Sequence, residues 1–307
     1  MANSSASPDP KTLHLVGIGV KHSIAPPMHN HIASSLSLPW TFHSTECPTI
    51  QDVLTLARLP STQGLVVTMP YKASVMPHLD ALDPLAIQLG ACNNVYLDEG
   101  KLRGTNTDWL GIKGCLLEKG ARVEGKPGLI VGAGGASRAA VYALSSHLTC
   151  SKVYVLNRDD VEVDALIQDS KRLDPVPEIV HVKSIEQARD LETPYYIVSC
   201  VPDLEPQTLP EKISIQCLAE FLGRKEKGVL LDMCFKPRLT RIIKLAEREG
   251  WETVEGTHVI GYQVEEQWRL WTGGKAVDEE KWSKKIDREG AWKVLLEAAE
   301  SSAGINF

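Results

Sequence analysis

The chain has 307 residues, 43% of them hydrophobic and 23% charged, a globular composition long enough for two domains of ordinary size, which excludes a disordered or fibrous protein. A net charge of −6 and a pI of about 5.9 exclude nucleic acid as the main partner, because phosphate binding needs a basic face. No apolar stretch approaches the roughly 18 residues that a membrane span requires.

Residues 1–11, MANSSASPDPK, have no apolar core and read as a flexible tail, not a signal peptide. Next, 13–20 (LHLVGIGV) predicts a buried strand running into the loop KHSIAPP, and Met28 to Leu38 has helical spacing. Residues 40–43 and 64–72 (GLVVTMPYK) predict two more strands, the latter stopped by Pro70. The alternation of strand and helix continues past LRGTNTDWLG and predicts a parallel or mixed sheet with crossover helices. A polar, glycine-containing stretch at 118–128 marks a domain boundary. Beyond it come strand patterns at 152–158 (KVYVLNR), 195–201 (YYIVSCV) and 228–235 (GVLLDMCF), with helical spacing between them. From Gly256 onward the chain carries QVEEQWRLWTGG and an amphipathic helix near Ile286–Glu300. The cysteines at 47, 92, 115, 150, 200, 217 and 234 form no CxxC pair, so neither a zinc site nor a disulfide framework is expected, and a reducing cytoplasm fits.

The boundary at 118–128 leads directly into LIVGAGGASRAAVYALSSH, which is strand, glycine turn and helix in sequence. Gly132, Ala133, Gly134, Gly135 and Ala136 let the backbone approach a pyrophosphate, whose charge meets amide N–H groups and the positive end of the helix; Ser137 holds the last, small position. A tight turn alone would account for the glycines, but about 20 residues on, the next strand ends in the polar cluster Asn157-Arg158-Asp159-Asp160, where an adenosine ribose is expected. The series therefore predicts a Rossmann-like dinucleotide-binding domain. Arg158 favours a 2′-phosphate, whereas Asp159, Asp160 and Glu162 repel one, so NADP and NAD both stay open; a solvated charged loop also accounts for Asp160 and Glu162. In the first half, Lys72 and Asp108 stand at strand ends; a surface charge accounts for either alone, but a lysine paired with a carboxylate can carry the proton that accompanies hydride transfer between an alcohol and a ketone.

The segments GIGVKHSIAPPMHN, GLVVTMPYK, GACNNV, GTNTDWLG, GAGGASRA, NR, DMCFKPRLT and EGTHVIGYQVEEQWRLWTG, in this order, resemble the shikimate dehydrogenases over nearly the whole chain. They are most similar to the shikimate dehydrogenase domain of the fungal pentafunctional arom polypeptide and to stand-alone quinate/shikimate dehydrogenases. The resemblance implies an N-terminal α/β substrate-binding domain (12–117), a C-terminal Rossmann NAD(P)-binding domain (118–255), and final helices (256–307) packing back on the first. It implies an active site in the cleft between domains, with a cyclic polyol acid as substrate, and a monomer or homodimer without metal, nucleic acid or membrane. By motif, Lys72 and Asp108 fall on the catalytic pair. Ser23, Thr68, Asn93 and Gln263 fall on substrate positions, joined by Gln267; Gly132 to Ala136, Asn157, Arg158, Asp159, Met233 and Gly256 fall on cofactor positions.

Four residues depart from the family pattern. Ala25 replaces a hydroxyl residue two after Ser23, Phe235 a tyrosine, Val66 an asparagine and Asn94 a threonine, which bears on which cyclic polyol is used. Three readings follow. The first is a dehydrogenase oxidising a ring hydroxyl of shikimate, quinate or a relative. The second is a non-catalytic sensor of a quinate-pathway metabolite, which has no need of the retained Lys72 and Asp108. The third is another Rossmann enzyme such as a folate dehydrogenase, which the Ser23 loop and the Gln263 segment disfavour. Trp268 and Trp271 read as core.

Overall fold

The structure is a computed structural model describing residues 9–273 and 286–307. Its chain divides into two compact units, each spliced from separated stretches. The first comprises Met1–Asp83, Cys92–Thr105 and Val264–Ser301, and the second Pro84–Ala91, Asn106–Gln263 and Ser302–Phe307.

The first unit is built on six strands, β1 (Lys11–Gly17), β2 (Trp40–Glu46), β3 (Thr62–Val67), β4 (Ala81–Leu82), β5 (Asn94–Asp98) and β6 (Lys101–Thr105), in the order β2-β1-β3-β5-β6-β4. The sheet is mixed: β1 pairs parallel with β2 and β3, and β5 antiparallel with β3 and β6. The β5–β6 hairpin turns on Glu99 and Gly100, both at positive φ (51° and 77°), the conformation a two-residue hairpin loop requires. One sheet face carries Leu65, Val67 and Val95 into a core with Val53, Ala57, Tyr71 and Val75. The other is covered by aromatic residues. Trp268 and Trp271, on α11 (Val264–Trp271), are wholly buried with His29 of α1 (Ala25–Ser35) against Phe42 of β2. Trp268 Nε1 donates to His29 Nδ1 at 3.1 Å, and burial pulls that imidazole down to about 3, so it stays neutral. Gly64 sits under the Trp271 ring, where no Cβ fits.

The second unit holds six parallel strands, β7 (Gly128–Val131), β8 (Val153–Leu156), β9 (Ile179–His181), β10 (Tyr196–Ser199), β11 (Val229–Asp232) and β12 (Glu252–Glu255), ordered β12-β11-β10-β7-β8-β9. Alternate residues feed opposite faces. Ile130, Val153, Val155, Tyr196, Val198 and Leu231 join one core, and Leu129, Val131, Tyr154, Leu156, Ile197 and Leu230 the other. This doubly wound sheet reverses direction between β7 and β10, the crevice where such folds bind ligands.

Several expectations shift against the structure. Lys11 already pairs in β1, and the tail expectation for residues 1–8 lies outside the described residues. The strand read to Lys72 ends at Val67, because Pro70 has no N–H to offer and Tyr71 N closes a turn onto Thr68 O at 3.0 Å. Asp108 opens helix α4 (Asp108–Lys119) and does not end a strand. The chain passes between units at 84, 92, 106, 264 and 302, where the sequence reading draws lines at 118 and 256. Ile112, Cys115 and Leu116 of α4 belong to the Rossmann-like core, which carries that helix into the second unit.

Candidate active site

In the first unit, four sequence-predicted residues gather at the carboxyl ends of β1 and β3 and the start of β5. Gly17 ends β1 so close to Thr68 that a Cβ there would lie 2.5 Å from Thr68 Cγ2, so the loop carrying Ser23 begins against Thr68. Ile18 N donates to Met69 O at 3.1 Å, and Thr68 N to Val16 O at 2.9 Å. Cys92 N donates to Lys72 O at 2.7 Å and Val67 N to Asn93 O at 2.7 Å, so Lys72 and Asn93 are tied to neighbouring stretches of backbone. Ser23 Oγ accepts from Ala25 N at 3.2 Å, while the Ala25 side chain is buried and offers no second hydroxyl. Glu46 was missed in the sequence. Its two carboxylate oxygens accept from Gly19 N (2.5 Å) and Val20 N (3.1 Å), holding the loop that leads to Ser23. Gln267 lies buried on α11, one turn before Trp271.

In the second unit, Asp108 is 4% exposed at the start of α4, its N–H donating to Asn106 Oδ1 at 3.0 Å. Asn106 Nδ2 in turn donates to Ala91 O at 3.0 Å. Thr107 Oγ1 donates to Gln263 Oε1 at 2.7 Å, and Gln263 Nε2 to Val259 O at 3.1 Å, which fixes the orientation of that amide. Gly111 lets α4 and Val259 approach closely. The structure thus sets Gln263 beside the start of α4; nothing in the spacing of GTNTDWLG and EGTHVIGYQ announces the Thr107 link.

The glycine turn follows β7. Gly132 has φ +108°, and its missing side chain makes room for Val201, whose Cγ1 would lie 2.9 Å from a Cβ. Among the described residues, nothing beyond its chain neighbours lies within 4 Å of where a Gly134 Cβ would sit, so the backbone is open to a ligand there. Ser137 is wholly buried, the small residue that packs helix α5 (Gly135–Tyr142) onto the sheet. These features fit a dinucleotide pyrophosphate. Arg138 clasps the turn: its Nη1 donates to Ala133 O (3.3 Å) and Gly134 O (3.2 Å), and its Nε to Asp169 Oδ2 (2.9 Å).

At the end of β8, Asn157 Nδ2 donates to Asp159 O (3.0 Å) and Glu162 Oε2 (2.9 Å). Asp159 caps α6 (Asp160–Ser170), accepting from Val161 N at 2.8 Å. Asp160 pairs with Lys183 at 3.0 Å, which holds its carboxyl below the usual range. Arg158 pairs with Glu211 at 2.5 Å. Met233 and Gly256 are neighbours: a Cβ on Gly256 would meet Met233 O at 2.6 Å and Asp232 O at 2.7 Å, so only glycine fits. Asp232 beneath them is buried and accepts from Thr240 Oγ1 at 2.6 Å and Cys234 N at 3.1 Å; burial pushes its carboxyl up to about 6. A carboxylate ending an otherwise apolar strand was the available signal for it.

Residues 15–95 match the family model described as the shikimate dehydrogenase substrate binding domain. Over 87% of its length the chain is 39% identical to a quinate dehydrogenase of Emericella nidulans, covering 89% of that protein. It is 37% identical, again over 87% of its length, to the pentafunctional AROM polypeptide of Eremothecium gossypii, of which it spans 17%. A solved quinate dehydrogenase from Corynebacterium glutamicum in complex with NAD superposes with a TM-score of 0.74 at 25% identity, covering 94% of this chain and 100% of that one. With such likeness over nearly the whole of a relative, the chain belongs to the shikimate and quinate dehydrogenase family of NAD(P)-dependent oxidoreductases.

Proposed function

We propose that this chain oxidises a secondary ring hydroxyl of quinate, in preference to shikimate, reversibly to the ketone, and that it prefers NAD to NADP. The 39% identity to a quinate dehydrogenase supports the substrate. The observation that carries the coenzyme preference is the acidic rim at the ribose end of β8. Arg158 is already paired with Glu211 and Lys183 with Asp160, and Asp159 and Glu162 stand beside Arg158. A 2′-phosphate brought to this rim meets more negative charge than positive.

In this reading Ser23, Thr68, Asn93, Gln263 and Gln267 bind and orient the polyol acid. Gly132 to Ala136, Asn157, Arg158, Asp159, Met233 and Gly256 form the coenzyme side. Bound nicotinamide supplies the hydride acceptor. Lys72 and Asp108 are the proton-transfer pair, taking the hydroxyl proton as the carbon gives up hydride and returning it in the reverse direction. The free thiols of all seven cysteines support a reducing, cytoplasmic setting.

Near-ultraviolet absorbance with quinate or shikimate, each with NAD⁺ and NADP⁺, tests the reading. Quinate with NAD⁺ should give the highest kcat/KM. Faster turnover with NADP⁺ would overturn the coenzyme half, and silence from all four pairs in folded protein would overturn the dehydrogenase.

A further inference from the structure

We infer that Glu211 is a specificity-determining residue that excludes the 2′-phosphate of NADP by holding the Arg158 guanidinium. This deepens the coenzyme reading above and rests on it. Arg158 follows β8, and Glu211 lies in the first turn of α8 (Leu209–Leu222), which follows β10. Because β7 lies between β8 and β10, the pair joins the chain on both sides of the strand that carries the glycine turn. The segment after β10 also reaches that turn directly, since Val201 fills the space that Gly132 leaves.

Glu211 is not a loose surface charge. One carboxylate oxygen accepts from Gln207 N and Thr208 N, both at 2.9 Å, as the return half of a capping box with Thr208. The other takes the Arg158 Nη1 donor at 2.5 Å. Those amide and guanidinium donors hold the Glu211 carboxyl down to about 2, so it is ionised at every working pH. A fixed anion therefore occupies Arg158 Nη1, a donor that would otherwise pair with a 2′-phosphate, and adds its own repulsion. A free ribose 2′-hydroxyl brings no charge and suffers neither effect.

The variant that isolates this is Glu211→Gln, which keeps an amide oxygen for the capping box and removes the charge. Calorimetric binding of adenosine 2′,5′-bisphosphate and of 5′-AMP reads the adenosine side without turnover, and kcat/KM for NADP⁺ and NAD⁺ reads the whole coenzyme. Glu211→Gln should tighten the bisphosphate and raise the NADP/NAD ratio on the order of tenfold, with 5′-AMP affinity little changed. Adding Arg158→Gln should erase that gain, because the liberated guanidinium is its source. Unchanged bisphosphate affinity in a Glu211→Gln protein of wild-type melting temperature would overturn the inference. The wild-type ratio tests the NAD preference, and the change in the ratio tests Glu211, so the two fail separately.

Discussion

Val66 on β3 and Asn94 on β5 face each other in register across an antiparallel pair, and among the described residues the buried amide of Asn94 has no hydrogen-bond partner on either atom. Where the family pattern has asparagine on β3 and threonine on β5, this chain carries its amide one strand over. An amide buried without partners costs about 1–3 kcal/mol. Asn94→Thr, close in volume and suited to a strand, should raise the unfolding free energy by up to that amount, read as a higher urea midpoint. A lower midpoint would mean that the amide stabilises this sheet.

Asp232 predicts a pH dependence of stability. Its carboxyl titrates near 6 in the folded chain against 3.8 ordinarily, so between those values the folded state holds a proton that the unfolded state releases. The resulting stability is fully present below about pH 4 and is lost as pH rises through about 6, at most about 3 kcal/mol. Asp232→Asn should therefore unfold at higher urea than wild type at pH 7.5, the gap closing near pH 4. A gap independent of pH would rule out burial of this carboxylate as its source.

Gly64→Ala should destabilise the first unit by about 1–3 kcal/mol, because the added methyl overlaps the Trp271 ring and lies 2.9 Å from Val95 O. Trp271 Nε1 donates to that same carbonyl at 3.2 Å, so the ring is held in place. Thermal unfolding followed by tryptophan fluorescence measures the loss; an unchanged melting temperature would show that the ring moves aside freely.

Lys72→Ala should lower kcat by about 10²–10⁴-fold, the usual contribution of a positioned proton-transfer group. Coenzyme affinity should stay near wild type, since Lys72 belongs to the first unit and the glycine turn to the second. Comparable turnover in the two proteins removes Lys72 from the mechanism.

The sequence disclosed most where local chemistry dictates structure. The strand–glycine turn–helix at 128–142 and the apolar runs of β8, β10 and β11 read correctly because each run is buried on both faces, whereas the more exposed β9 and β12 went unread. The β5–β6 hairpin and the position of Asp108 at a helix start were not legible, since Glu99-Gly100 is a sparse turn signal and short strands leave little periodicity. The links that position the candidate site were hidden for a different reason. Glu46 with the Gly19 amide, Thr107 with Gln263, and Arg158 with Glu211 join residues 27, 156 and 53 positions apart, and no pattern along the chain encodes such a pairing.

The aromatic cover of the first sheet has a consequence for biosynthesis. Phe42, His29 and Gly64 come early in the chain, but the tryptophans that shield them are Trp268 and Trp271. During translation this sheet waits, one face without its tryptophan cover, while the ribosome makes residues 106–263 of the second unit. A nascent chain stalled before residue 264 would present that apolar face to chaperones.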